Sequence, residues 1–124
     1  MQQKFSSAQE LPPLDTKLEI EHIYAVKRHE FSPLADESHL ECLGNKALLE
    51  KRINIRAADY RFADKAKYYL GYTNGKQKIS GTMIRELRTL ATTKTDFTED
   101  DIVIRNESIF DAFVEFLAQN NLLR

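Results

Sequence analysis

Lys17-Leu18-Glu19-Ile20-Glu21-His22-Ile23 alternates charged and aliphatic residues with period two, the pattern of a half-buried β-strand. The alternation puts Glu19 and Glu21 on one face and predicts that Leu18 and Ile20 turn to the core. Residues 25–42 carry Pro33 and mixed charge without a sustained period, so they read as a loop. Leu43-Gly44-Asn45 then makes a turn, and Lys46 to Leu49 is a short apolar run suited to pair with the first strand. Asp59 to Leu70 spaces Phe62, Ala66 and Tyr69 as one face of an amphipathic helix, which Gly71 and Asn74-Gly75 stop.

Further along, Ile79, Met83, Leu87 and Leu90 recur at helical spacing, although Gly81 weakens the start of that helix. Thr98-Glu99-Asp100-Asp101 offers an N-cap followed by acids that suit a helix N-terminus. Ile102, Ile109, Phe113, Phe116 and Leu117 then form a stripe expected in the core. At the other end, Ser6, Ser7, Pro12 and Pro13 mark residues 1–15 as an arm or linker, leaving residues 16–124 as the domain.

A chain of 124 residues suffices for one core, and 42% hydrophobic with 30% charged residues excludes a disordered polypeptide. No apolar run approaches the roughly 20 residues of a membrane span, and MQQKFSSAQELPPLD lacks the apolar centre of a signal peptide. The expectation is a cytoplasmic protein without a membrane partner. Cys42 is the sole cysteine and only three histidines are present, which excludes an internal disulfide and a cysteine/histidine zinc site; Cys42 reads as a buried structural thiol.

The net charge of -1 hides an uneven distribution. From Lys46 to Lys67 stand seven basic residues (Lys46, Lys51, Arg52, Arg56, Arg61, Lys65, Lys67) against three acidic ones (Glu50, Asp59, Asp64). From Asp96 to Glu115 seven acidic residues face Arg105 alone. The central segment is therefore the expected anion-facing surface, with Lys46, Arg52, Arg56 and Lys65 as candidate phosphate or DNA contacts.

The chemistry-bearing set is Glu21-His22, then Asn45, then Asn54 nine residues later. Cutting a phosphodiester needs a nucleophilic water, a cation to neutralise charge developing on phosphate, and groups that hold both in line. A histidine can take the proton of an attacking water near neutral pH. Glu21 and the amide oxygen of Asn54 are hard donors suited to Mg2+ or Mn2+, and so small a ligand set leaves room for water and phosphate oxygens. Asn45 has donors and an acceptor with which to tie down the loop or orient His22.

Glu21-His22-Ile23, Leu43-Gly44-Asn45-Lys46-Ala47-Leu48-Leu49 and Asn54 together resemble the HNH, or ββα-metal, nuclease motif. Within it the chain is most similar to the C-terminal nuclease domain of GmrSD-type modification-dependent restriction enzymes. The family's Phe-x-x-Lys and Ile-x-x-Arg helices have their counterparts in Phe62 to Lys65 and Ile102 to Arg105, so the likeness spans roughly residues 17–117. Tyr24-Ala25-Val26 stands where the family carries a proline.

The resemblance implies an α+β fold: a ββα-metal (HNH/His-Me finger) hairpin and helix, wrapped by further C-terminal helices. It implies His22 as general base, Glu21 and Asn54 as metal ligands, Asn45 bracing the hairpin, Lys65 at phosphate and Arg105 bracing the fold. The implied activity is divalent-metal-dependent hydrolysis of DNA in restriction or phage defence. An N-terminal nucleotide-hydrolysing, DNA-sensing domain or partner chain is the expected companion. Two other readings compete: a catalytically inactive ββα module that docks nucleic acid or protein, and a helical adaptor in which Glu21, His22 and Asn54 do not cluster.

Overall fold

The computed structural model describes residues 16–120. The proposed arm at residues 1–15 lies outside them. The fold is α+β, with two separate two-stranded sheets and four α-helices among the described residues.

Strand β1 (Leu18–His22) pairs antiparallel with β2 (Lys46–Glu50), in a register that sets Glu21 opposite Ala47 and His22 opposite Lys46. Directly opposed residues share a face, and the buried Ala47 and Leu49 lie opposite Glu21 and Glu19. The face of Glu21 is thus the inner one, the reverse of the alternation rule's assignment. Ile20, expected in the core, is 58% exposed. The cause is a pair of donors inside the protein: the Lys65 ammonium and the Tyr69 hydroxyl satisfy the Glu21 carboxylate. Burial of a carboxylate is tolerable only with such partners.

Between β1 and β2 the chain is more ordered than the loop expected there. It forms α1 (Val26–Phe31) and two short 3-10 turns, Glu37–Leu40 and Leu43–Asn45. Neither α1 nor the first turn has a buried residue, so neither leaves a periodic apolar trace in the sequence. The segment is held from outside. The Glu99 carboxylate accepts the N–H groups of Ala35 (2.7 Å) and Asp36 (2.9 Å) and bonds Nδ1 of His39 (2.7 Å).

Helix α2 (Phe62–Leu70) starts three residues later than its pattern suggests and buries Phe62 and Tyr69, together with Lys65 and Tyr68. Gly71 ends it at φ 91°, a left-handed conformation that favours glycine. The continuous helix predicted from Ile79 onward does not form. Instead, strands β3 (Gly71–Asn74) and β4 (Gln77–Ser80) make a hairpin around Gly75 at φ 63°, and Ile79 belongs to β4. Helix α3 (Arg85–Thr93) begins only after it, so Met83 is exposed while Leu87 is fully buried.

Helix α4 (Glu99–Gln119) begins after Thr98, whose backbone N–H donates to Asp101 at 2.8 Å. Only the first half of its apolar stripe reaches the core. Ile102 is 0% exposed, whereas Phe113 is 42% exposed and Ile109, Phe116 and Leu117 are half-buried. The core itself joins Ile23, Leu49, Ile53, Phe62, Tyr69, Ile84, Leu87, Phe97 and Ile102, each such burial stabilising by about 1.5–3 kcal/mol before entropy is counted. Gly44 marks where α4 crosses the turn before β2. A methyl group there would collide with the Ile102 carbonyl oxygen and stand 2.7 Å from the Asn106 Cβ.

Candidate active site

The last two residues of β1 point to opposite sides, as neighbours on a strand do. Glu21 faces α2, where its Oε2 accepts from Lys65 Nζ at 2.7 Å and from the Tyr69 hydroxyl at 2.5 Å. Burial, reinforced by the adjacent Glu21 charge, pushes the Tyr69 hydroxyl well above its ordinary value, so it stays a proton donor. Lys65 is 5% exposed and also donates to the backbone oxygen of His22 at 2.8 Å. A single ammonium therefore fixes both the carboxylate of Glu21 and the main chain of His22. Glu21 Oε1 has no protein partner among the described residues, and every fully buried side-chain polar atom has one, so Oε1 faces solvent.

His22 turns the other way, beside its cross-strand neighbour Lys46. Its Nε2 lies 3.1 and 3.2 Å from the two oxygens of Glu41, and Lys46 Nζ lies 3.2 Å from Glu41 Oε1. The His22 ring and then the Lys46 ammonium hold the Glu41 carboxyl below the usual carboxylate range. Nδ1 of His22 makes no protein hydrogen bond among the described residues and, for the same reason as Glu21 Oε1, faces solvent. The structure thus presents one carboxylate oxygen and one imidazole nitrogen outward from successive residues.

Asn45 is 0% exposed and saturated by backbone. Its Oδ1 accepts the Tyr24 N–H at 2.7 Å, and its Nδ2 donates to the carbonyls of Tyr24 (3.0 Å) and Leu40 (2.9 Å). It ties the exit of β1 to the entrance of β2 and directs no atom at His22. Arg105, 8% exposed, braces the same turn from α4. Its Nη1 donates to the carbonyls of Leu43 (2.9 Å), Gly44 (3.0 Å) and Lys46 (2.8 Å), while Nε and Nη2 grip Glu86.

Asn54 is exposed and makes no side-chain hydrogen bond among the described residues. The ladder runs from His22 opposite Lys46 to Leu18 opposite Glu50, and Asn54 lies four residues beyond Glu50. No hydrogen bond joins it to Glu21 or His22. Of the basic candidates, Lys46 is paired with Glu41, and Arg56 with Asp59 at 3.0 Å. Arg52 donates to the carbonyls of Ser80 (3.1 Å) and Gly81 (2.7 Å), and Lys65 is buried. Cys42 is half-buried and donates to the His39 carbonyl at 3.3 Å.

The family model for the C-terminal domain of GmrSD restriction endonucleases matches residues 1–112. The chain belongs to that family. Membership places this GmrSD-type domain among nuclease domains of the restriction-endonuclease type. Comparison with curated proteins and with solved structures gave no significant match. Among the described residues of this family member, no helix is long and apolar enough to cross a membrane.

Glu41, which meets His22, carries no usable sequence signal: it is a single carboxylate in a stretch without period. Tyr69 and Arg105 are legible as a core aromatic and a brace, but not as neighbours of Glu21 and of the turn before β2. The same scaffold depends on ionised carboxylates. Tyr68 and then Arg56 hold Asp59 below its ordinary value, Arg28 does so for Asp96, and the N–H of Asp36 with the His39 ring does so for Glu99. A carboxyl depressed in the folded state contributes stability above its unfolded pKa of about 4, and that contribution is lost as pH falls through the folded value. Thermal melts should therefore be flat from about pH 7 to 5 and drop below about pH 4; a melting temperature unchanged at pH 3 would rule this out.

Proposed function

We propose that this GmrSD-type domain is an HNH, ββα-metal endonuclease that hydrolyses DNA phosphodiester bonds with Mg2+ or Mn2+, as the effector of a cytoplasmic restriction or phage-defence system. The observation that carries the reading is the clamp at the end of β1. Lys65 holds Glu21 and the His22 backbone together while Glu21 Oε1 and His22 Nδ1 face solvent.

The donor set fits a hydrated ion rather than a caged one. No cluster of three or more His, Cys, Asp or Glu among the described residues could by itself hold a metal ion. Mg2+ commonly keeps several waters and binds through one or two carboxylates plus substrate phosphate. Glu21 through Oε1, and Asn54 through its exposed amide, are the residues that would hold it. When bound, the ion supplies charge neutralisation at the phosphate and at the leaving oxygen.

His22 takes the proton of the attacking water, whose oxygen forms the new bond to phosphorus as the bond to the leaving oxygen breaks; that oxygen is protonated from solvent. Lys65 holds the Glu21 carboxylate in place. Asn45 and Arg105 hold the turn that positions His22. The DNA partner would be delivered by the exposed basic side chains of residues 46–67, Arg52 and Arg56 among them, and by the nucleotide-hydrolysing, DNA-sensing domain or chain expected as a companion.

The test is incubation of purified protein with supercoiled plasmid at millimolar Mg2+ or Mn2+ beside an EDTA control. Nicking that EDTA stops and added metal restores is the expected result. Retention of DNA without any nicking, under either metal, would instead support the inactive docking module.

A further inference from the structure

Glu41 is exposed, yet it is not loose. It sits at the end of the 3-10 turn Glu37–Leu40, with its N–H bonded to the Ser38 carbonyl at 3.3 Å. That turn is fastened at both ends, by Glu99 to Ala35, Asp36 and His39, and by Asn45 to the Leu40 carbonyl. The outcome is a carboxylate with both oxygens on one imidazole nitrogen and a lysine at its flank.

An ionised carboxylate has lone pairs and no proton to give, so the hydrogen between the two groups belongs to His22 Nε2. In neutral imidazole the other nitrogen then carries the lone pair, and that nitrogen, Nδ1, is the one open to solvent. We propose that Glu41 is the positioning residue of His22: by accepting from Nε2–H it fixes the ring's tautomer and orientation, leaves Nδ1 as the basic nitrogen, and steadies the imidazolium formed when water is deprotonated. This deepens the nuclease reading and rests on it. The proton moves from water to Nδ1, while Nε2 keeps its own hydrogen throughout; Glu41 never accepts it. A carboxylate that orients a histidine in this way is a recurrent device in acid–base catalysis.

Because the Glu41 side chain is 60% exposed, its truncation should leave the fold intact, which circular dichroism and the melting temperature check. In Glu41→Leu, kcat should fall about 10- to 100-fold, the usual cost of losing an orienting partner, with KM little changed. The same substitution in a His22→Ala background should have no further effect, since Glu41 acts only through His22. Long-range proton–nitrogen NMR on 15N-labelled full chain should show His22 as a single Nε2–H tautomer, and averaged ring-nitrogen shifts in Glu41→Leu.

A kcat within twofold of the parent, or a loss that persists in His22→Ala, would overturn the assignment. So would ring shifts that ignore the substitution. If the unmodified protein cuts nothing, the nuclease reading fails, and the ring-nitrogen shifts still decide whether Glu41 fixes the tautomer of His22.

Discussion

Lys65→Ala should unfold the end of β1 and cost about 3–5 kcal/mol, the penalty for removing one partner of a buried ion pair. Lys65 and Glu21 have side chains only 6% and 13% exposed, so water cannot replace the lost ammonium well. What remains on Glu21 Oε2 is the Tyr69 hydroxyl, and the His22 carbonyl loses its donor altogether. For a chain of this size the melting temperature should drop by about 10–20 °C. Joint replacement of Glu21 by Leu and Lys65 by Met should recover most of that loss, since an apolar pair of similar volume is often neutral where a stranded charge is not. A Lys65→Ala melting temperature within about 2 °C of the parent would show that the pair contributes nothing.

Arg105→Ala should be comparably severe, at about 3–5 kcal/mol, by a different route. One guanidinium serves three carbonyls at the entrance to β2 and a carboxylate on α3. Its planar fork fills these positions at once, which a lysine ammonium cannot do, so Arg105→Lys should recover less than half the loss. Chemical denaturation of the three proteins measures this directly. Equal stability of the lysine variant and the parent would refute the role given to the fork geometry. The substitution should also depress cleavage beyond the unfolded fraction, because the freed turn is the one that carries Asn45 and, through it, the exit of β1.

How far the fold is legible in the sequence depends on what each residue does with its neighbours in space. The β1–β2 pairing is readable because Lys46 to Leu49 is a short apolar run after a turn, and α2 because Phe62, Ala66 and Tyr69 keep helical spacing. The inner face of β1 is not, since a period-two rule assigns Glu21 to water unless Lys65 and Tyr69, 44 and 48 residues away, are known to meet it. The β3–β4 hairpin has a local signal, but an ambiguous one: Asn74-Gly75 flanked by Tyr72 and Ile79 suits a hairpin turn as well as a helix stop. Within the site, Glu21, His22 and Asn45 fall on adjoining ends of one hairpin. Among the described residues no hydrogen bond joins Asn54 to them. Glu41 reaches His22 only through a loop whose order comes from Glu99 on α4, a long-range tie with no local pattern.

The central claim is that the Glu21–His22 end of β1 cuts phosphodiester bonds with His22 as the base. Its most direct test is single-turnover nicking of supercoiled plasmid in Mg2+ by the parent protein and by His22→Ala, with the fold of both verified by circular dichroism. The account predicts a rate lower by about 10²- to 10⁴-fold in His22→Ala at unchanged melting temperature. Equal nicking rates for the two folded proteins would contradict it.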